Sequence, residues 1–272
     1  MGSSYLPAVA WRRAGRLACL LLACTLLGCA PARIDTSGLH SDDAREQRWA
    51  DEIVPALVVG DAVWLQPPGP QKKFLGLYTQ PKQGAKAARG AIVLVHGLGV
   101  NPDYGVIGSL RTSLADAGWT TLSIQMPVLA AGEPAERYPG LFSEASDRIG
   151  AAVAWLQERK YKRIVLVSHS MGSRMSNFFL TRSPDNGIAA WASIGISSGE
   201  FADPAKLRLP VLDIYGERDF PQVLKNADAR AATLKLLKGS AQIEVAGADH
   251  YFAGSEHELV RQVRQFLDQK FK

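Results

Sequence analysis

The stretch "LVSHSMGSRM" (166–175) ends an apolar run at a serine, Ser170, with Ser168 two places before it and Gly172 two places after. A serine hydroxyl so placed can attack a carbonyl carbon. Small residues at those two positions suit a tight strand-to-helix turn, because strand and helix approach closely there. Such a turn lifts its central residue above a sheet. The backbone N–H of Met171 would then open the helix and face negative charge developing on an oxygen. The same residues also suit an ordinary helix N-cap, which serine favours. The stretch alone leaves both roles open.

A serine is a weak nucleophile until a base takes its proton, and an acid should orient that base. The chain has five histidines. His40 lies in a polar N-terminal stretch. His96 sits in a His-Gly turn, where it shapes the loop. His169 neighbours Ser170, and its side chain is expected to point away from the site. His257 falls in the first turn of the last helix, in solvent. His250 remains, directly beyond the last strand. Asp219, after "IYGER" (214–218), stands between Ser170 and His250. Two rival acids are Asp213, inside the strand and early, and Asp249, adjacent to the histidine it would have to orient.

These residues need elements to position them. Two alternating runs, 61–66 and 73–80, are split by Pro67-Pro68-Gly69-Pro70 and read as an antiparallel hairpin. From "AIVLVHG" (91–97) onward, strands alternate with helices. Strands are predicted at 91–97, 119–127, 163–168, 188–196, 210–216 and 241–247, and helices at 106–118, 143–160, 171–183 and 223–237. A final helix starts at Ser255, with Glu258 three residues on as a capping box. The alternation predicts an α/β fold, a mostly parallel central sheet with helices on both faces. In such sheets chemistry lies beyond the C-terminal strand ends. His96-Gly97-Leu98-Gly99, His169-Ser170-Met171-Gly172, Glu217-Arg218-Asp219 and Asp249-His250 all fall there.

From about residue 60 to the end, the chain resembles the α/β-hydrolase superfamily. "LVHGLG", "LVSHSMG", "IYGERD" and "GADHYF" match its oxyanion, elbow, acid and histidine segments in order, and the order Ser, Asp, His is that of the superfamily. The stretch "HGLGVNPDYGVIGSLRTSLADAGWTTLSIQMPVL" further resembles an uncharacterised bacterial family within it. The resemblance implies a serine hydrolase. In it Ser170 attacks, His250 shuttles the proton, Asp219 orients the imidazole, and the N–H groups of Met171 and Leu98 hold the oxyanion. It names no substrate. An ester is expected, with thioesterase, peptidase and an idle binding or scaffold module as rivals.

Residues 197–209 leave room for a loop but not for a cap domain. The segment 126–142, rich in Pro, Gly and Ala, is a candidate wall over the site. Tyr104, Gln125, Tyr138 and Phe142 are candidate substrate contacts. The opening places Arg12, Arg13 and Arg16 before an apolar stretch of roughly eleven residues, short of the ~20 that span a bilayer. It reads as a secretory signal over 1–29. Leu26-Leu27-Gly28-Cys29 resembles a bacterial lipobox, which implies a lipid on Cys29 and a membrane-anchored protein in the cell envelope. Residues 30–60, mixed and polar with little periodicity, are read as a tether plus an entry segment to a domain at 61–272. All three cysteines, Cys19, Cys24 and Cys29, lie in the opening segment, so no disulfide or cysteine metal site is expected beyond it. The net charge of +5 falls to +2 without that segment, as three arginines leave 28 basic residues against 26 acidic. No dense basic stripe remains, so nucleic acid is not an expected partner. No glycine-rich phosphate loop and no metal-ligand spacing point to a cofactor.

Overall fold

The computed structural model describes residues 38–183 and 185–271. Eight strands form its sheet: β1 (Asp61–Leu65), β2 (Phe74–Thr79), β3 (Ala91–Val95), β4 (Thr120–Ile124), β5 (Ile164–His169), β6 (Ile188–Ile194), β7 (Val211–Arg218) and β8 (Ala241–Asp249). Their order is β1-β2-β4-β3-β5-β6-β7-β8. β2 pairs antiparallel with both β1 and β4, as the predicted hairpin requires, and every other pair is parallel. Parallel neighbours need crossovers. These are α2 (Gly105–Asp116), α3 (Phe142–Glu158), α4 (Met171–Arg182), α5 (Pro221–Lys225) and α6 (Ala227–Lys235), with α7 (Glu256–Lys270) closing the chain.

Every residue of β3, β4 and β5 is buried, which explains why these strands read as continuous apolar runs. Alternate side chains feed two cores, following the strand period of two. Ile92, Leu94, Val165 and Val167 pack under α2 and α7 through Leu110, Leu114, Val263 and Phe266. Val93, Val95, Leu122 and Leu166 face α3 and α4 through Ile149, Ala152, Met175 and Phe179. Between β6 and β7 only a 3-10 turn, Pro204–Lys206, interrupts the loop, and no large cap is present.

The entry segment, whose sequence shows little periodicity, forms a helix, α1, over Asp43–Ala56. The Asp42 carboxylate caps it by accepting from the Arg45 N–H (3.0 Å). Its apolar contact is small: Ala50 is buried on Leu75 and Leu77 of β2. Charge does the rest, since Arg148 on α3 bridges Glu46 (2.9 Å) and Glu144 (2.6 Å) and donates to the Gln125 carbonyl (3.1 Å). Burial raises the Glu46 pKa against the pull of Arg148. Two local expectations are corrected. First, the helix expected over 223–237 breaks at Asn226. There the Val223 carbonyl accepts from Arg230 Nη1 (2.8 Å), and Arg230 Nε reaches buried Asp213 (2.8 Å). Second, Ser255 precedes α7 without a side-chain cap bond. Glu258 pairs instead with Arg261 and Gln262, so the capping box is not made. The signal segment and Cys29 lie outside the described residues. Among the described residues no helix is long and apolar enough to cross a membrane.

Candidate active site

Ser170 joins β5 to α4 with φ 58° and ψ −119°, a backbone region that costs a side chain of order 1–3 kcal/mol. Its hydroxyl makes no cap bond to the helix, so the N-cap role is not taken. The turn is held by the Ser170 N–H donating to the Ile194 carbonyl (2.8 Å). The small neighbours have steric reasons. A Cβ on Gly172 would sit 2.3 Å from the His96 carbonyl oxygen and 2.6 Å from that of Val95. Ser168, where the commoner pattern has glycine, is put to use: its hydroxyl accepts from Trp191 Nε1 (2.8 Å).

Ser170, Asp219 and His250 come from the ends of β5, β7 and β8, and the structure brings them together. Ser170 Oγ lies 2.8 Å from His250 Nε2, and His250 Nδ1 lies 2.6 Å from Asp219 Oδ1. The Phe220 N–H donates to that same carboxylate oxygen (2.7 Å). His250 is 2% exposed and Asp219 5%. With Oδ1 accepting at Nδ1, the Nε2 lone pair is left for the serine proton. The rival acids are otherwise engaged. Asp213 is buried against Arg230 and Gln242, while Asp249 accepts from the N–H groups of Tyr251 and Ala253.

His169 corrects the sequence reading, since its ring turns toward the site. Nε2 lies 2.9 Å from the His250 carbonyl, to which it donates, and the two rings are 5.0 Å apart. Burial, then the neighbouring His250, pushes its pKa down to about 4, so it stays neutral. At the last residue of a strand that twists into the elbow, alternation no longer sets side-chain direction. His96 does shape its loop. Nε2 accepts from the Met126 N–H (2.9 Å) and Nδ1 donates to the Gly97 carbonyl (2.9 Å). Burial holds it neutral, with a pKa of about 4. Gly97 then lies so close that a Cβ there would be 3.1 Å from Ser170 Cβ, which brings Leu98 beside the nucleophile. Among the described residues the Leu98 N–H has no acceptor. Met171 N–H is one of the orphan donors at the start of α4. Arg45 of α1 braces this loop from outside, donating to the carbonyls of Gly99 (2.9 Å) and Leu129 (2.7 Å).

A cleft of about 570 Å³ opens over Ser170. Leu98, Val100, Tyr104, Val106, Ile107, Phe220 and Tyr251 give it a mainly apolar wall, with Ser109 and Glu256 as polar groups besides Ser170 and the two histidines, and among the described residues no Lys or Arg lines it. Of the four candidate substrate contacts only Tyr104 lines it. Gln125 is buried under the 97–99 loop on His96 and Met126. The Tyr138 hydroxyl accepts from the Leu129 N–H (3.2 Å), and Phe142 packs on Phe178. The segment 126–142 is therefore no wall of this cleft. Met126, Val128, Leu129, Tyr138 and Leu141 are buried, and α1 pins it through Asp42 and Arg45. The sequence missed Phe220, His169 and Tyr251 as cleft residues, although each adjoins a predicted site residue.

Comparison with solved structures decides the fold. A dienelactone hydrolase from Anabaena variabilis superposes with a TM-score of 0.61 at 19% identity, over 78% of this chain and 97% of that one. An α/β serine hydrolase without lid from Xanthomonas campestris gives 0.59 at 17%, over 78% and 95%. Est1E from Butyrivibrio proteoclasticus gives 0.61 at 15%, over 77% and 98%. The fold is that of the α/β hydrolases. Within this α/β-hydrolase fold, residues 43–146 match a family described as a protein of unknown function, DUF3530, which is less than half of the chain. No curated protein matches the sequence. Among the described residues no group of three or more His, Cys, Asp or Glu side chains could hold a metal ion.

Proposed function

We propose that the chain is a serine hydrolase that cleaves an ester or related acyl bond through an acyl-enzyme. One observation carries the reading: an unbroken relay of 2.8 Å and 2.6 Å contacts from a strained serine through a buried histidine to a buried aspartate. Ser170 Oγ attacks the acyl carbon while its proton passes to His250 Nε2, leaving an imidazolium beside Asp219. The former carbonyl oxygen becomes an oxyanion received by the N–H groups of Leu98 and Met171. One such donor typically contributes roughly 2.7–4 kcal/mol to lowering the barrier. On collapse, the bond to the leaving oxygen breaks and His250 returns the proton to it. Water then adds to the acyl carbon and gives its proton to His250. The Ser170 ester breaks, the acid leaves, and Ser170 recovers its proton.

The names of the structural neighbours, dienelactone hydrolase and serine hydrolase, support this chemistry. The cleft supports a substrate class. Its wall is mainly apolar and offers Glu256 but, among the described residues, no cation, which favours neutral, largely apolar acyl groups over anionic ones. Attachment to the cell envelope through a lipid on Cys29, from the lipobox-like "LLGC", is part of the same proposal.

The test uses the full chain in detergent. A fluorophosphonate should label Ser170, and short-chain p-nitrophenyl esters should turn over in wild type but not in Ser170→Ala. A folded wild type that takes no label, or equal ester hydrolysis by the two proteins, would refute the proposal and favour an idle binding module.

A further inference from the structure

A general base must become charged, and His250 must do so almost out of reach of water, at 2% exposure. Burial disfavours the imidazolium. Asp219 offsets this from the Nδ1 side. Three other rings meet the imidazole. Tyr251 meets it edge-on (5.3 Å, 83°), and His169 is tilted (5.0 Å, 39°). Phe220 alone lies flat on it, with ring centres 3.8 Å apart and planes 21° from parallel.

The position of Phe220 is built into the chain. Its backbone is extended (φ −57°, ψ 144°), as suits a residue before proline, and Pro221 opens α5 directly after it. Its N–H holds Asp219 Oδ1 at 2.7 Å, the oxygen that also meets His250 Nδ1. One residue therefore clamps the acid with its backbone and covers the base with its ring.

We propose that Phe220 is a positioning residue whose ring face stabilises the imidazolium form of His250 while it carries the proton of Ser170. An aromatic face is electron-rich and attracts a cation within about 6 Å of its centre. Against the neutral imidazole the same stack gives only ordinary packing. The interaction therefore strengthens as the proton transfers, which is the condition for raising kcat and not merely tightening binding. This inference rests on the serine-hydrolase reading of the relay.

The experiment replaces Phe220 with mono-, tri- and pentafluorophenylalanine, which drain the ring face while nearly keeping its shape, and adds Phe220→Leu. Steady-state rates are measured on two p-nitrophenyl esters of different acyl length. The expected result is a stepwise fall in kcat, reaching about 5- to 30-fold at five fluorines if the contact is a desolvated cation–π pair. The fall should be equal on both esters with KM nearly constant, and Phe220→Leu should lie near its lower end. A kcat that is flat across the series would overturn the proposal. So would effects confined to KM, or ones that differ between esters, since they would make the ring a packing or substrate contact. Fluorophosphonate labelling of wild type separates the two readings. A labelled, active wild type with a flat series refutes Phe220's role alone, whereas an unlabelled, inactive one refutes the hydrolase and Phe220's role with it.

Discussion

Asp219→Asn removes one charge and almost nothing else, and the structure fixes which way the amide must turn. Oδ1 accepts from both the Phe220 N–H (2.7 Å) and His250 Nδ1 (2.6 Å), while Oδ2 has only a long contact from the Gly216 N–H (3.4 Å). An asparagine keeps its oxygen at the first position, because an NH2 there would face two donors. His250 then retains its proton on Nδ1 and its acceptor toward Ser170. The loss should therefore be the electrostatic term alone. A carboxylate about 4 Å from an imidazolium, at an effective dielectric near 20, contributes about 4 kcal/mol. That corresponds to a fall in kcat of roughly a thousandfold. It stops short of the ~10⁴ seen where the amide imposes the wrong tautomer. Asp219→Ala should lose more, since it also strands the Phe220 N–H and frees the ring. Initial rates on p-nitrophenyl butyrate at saturation measure both. An Asn variant within tenfold of wild type, or one as poor as the Ala variant, would refute the reasoning and reopen Asp213 and Asp249.

Two further predictions follow from the surroundings of the relay. Arg45→Met removes the donor that braces the 97–99 loop at Gly99, together with its tie to Leu129 in the segment beneath, and should cost about tenfold in kcat, part of what a lost oxyanion donor costs. A lowered Tm with unchanged kcat would make α1 a purely structural helix. His96 and His169 are held near pKa 4 by burial, below their unfolded value of 6.5. The unfolded chain therefore binds more protons between those values, so stability falls as pH drops from about 6.5 toward 4, by on the order of a few kcal/mol per histidine. Urea unfolding at pH 7 and pH 5 with equal midpoints would contradict this.

The centre of the sheet was legible because buried parallel strands leave short unbroken apolar runs, such as "AIVLV" (91–95) and "IVLV" (164–167), set between helical stretches. Ser170, Asp219 and His250 were legible for a related reason. Each stands at or just beyond the C-terminal end of a strand, β5, β7 or β8, so strand order carries it to the rim where the other two arrive. Helix α1 was not, because its signal is weak: it buries Ala50 and is held mainly by polar contacts, Arg45 on the Gly99 and Leu129 carbonyls and Glu46 on Arg148, 102 residues away. The orientation of His169 failed for a different cause, since a period-two rule cannot be extended into a turn where Ser170 already has positive φ.

The misplaced substrate contacts show where local reasoning ends. Gln125, Tyr138 and Phe142 all lie between β4 and α3 or at its start, yet Gln125 and Tyr138 hold the loops at His96 and Leu129 and Phe142 packs on Phe178 of α4. Apart from Phe220, the wall of the cleft comes from 98–109 and 251–256, two stretches joined only by the fold. No spacing rule connects Tyr104 to Tyr251, whereas strand register connects Ser170 to His250 through three intervening pairings, β5 to β6, β6 to β7 and β7 to β8. On the proposed reading, the catalytic relay is therefore tied to the sheet, and the selectivity to cleft residues that lie beyond it. Changes at Tyr104 or Tyr251 can alter which acyl group fits while leaving the 2.8 Å and 2.6 Å contacts intact. This separation is also why four short motifs can imply a reaction type while leaving the substrate unnamed.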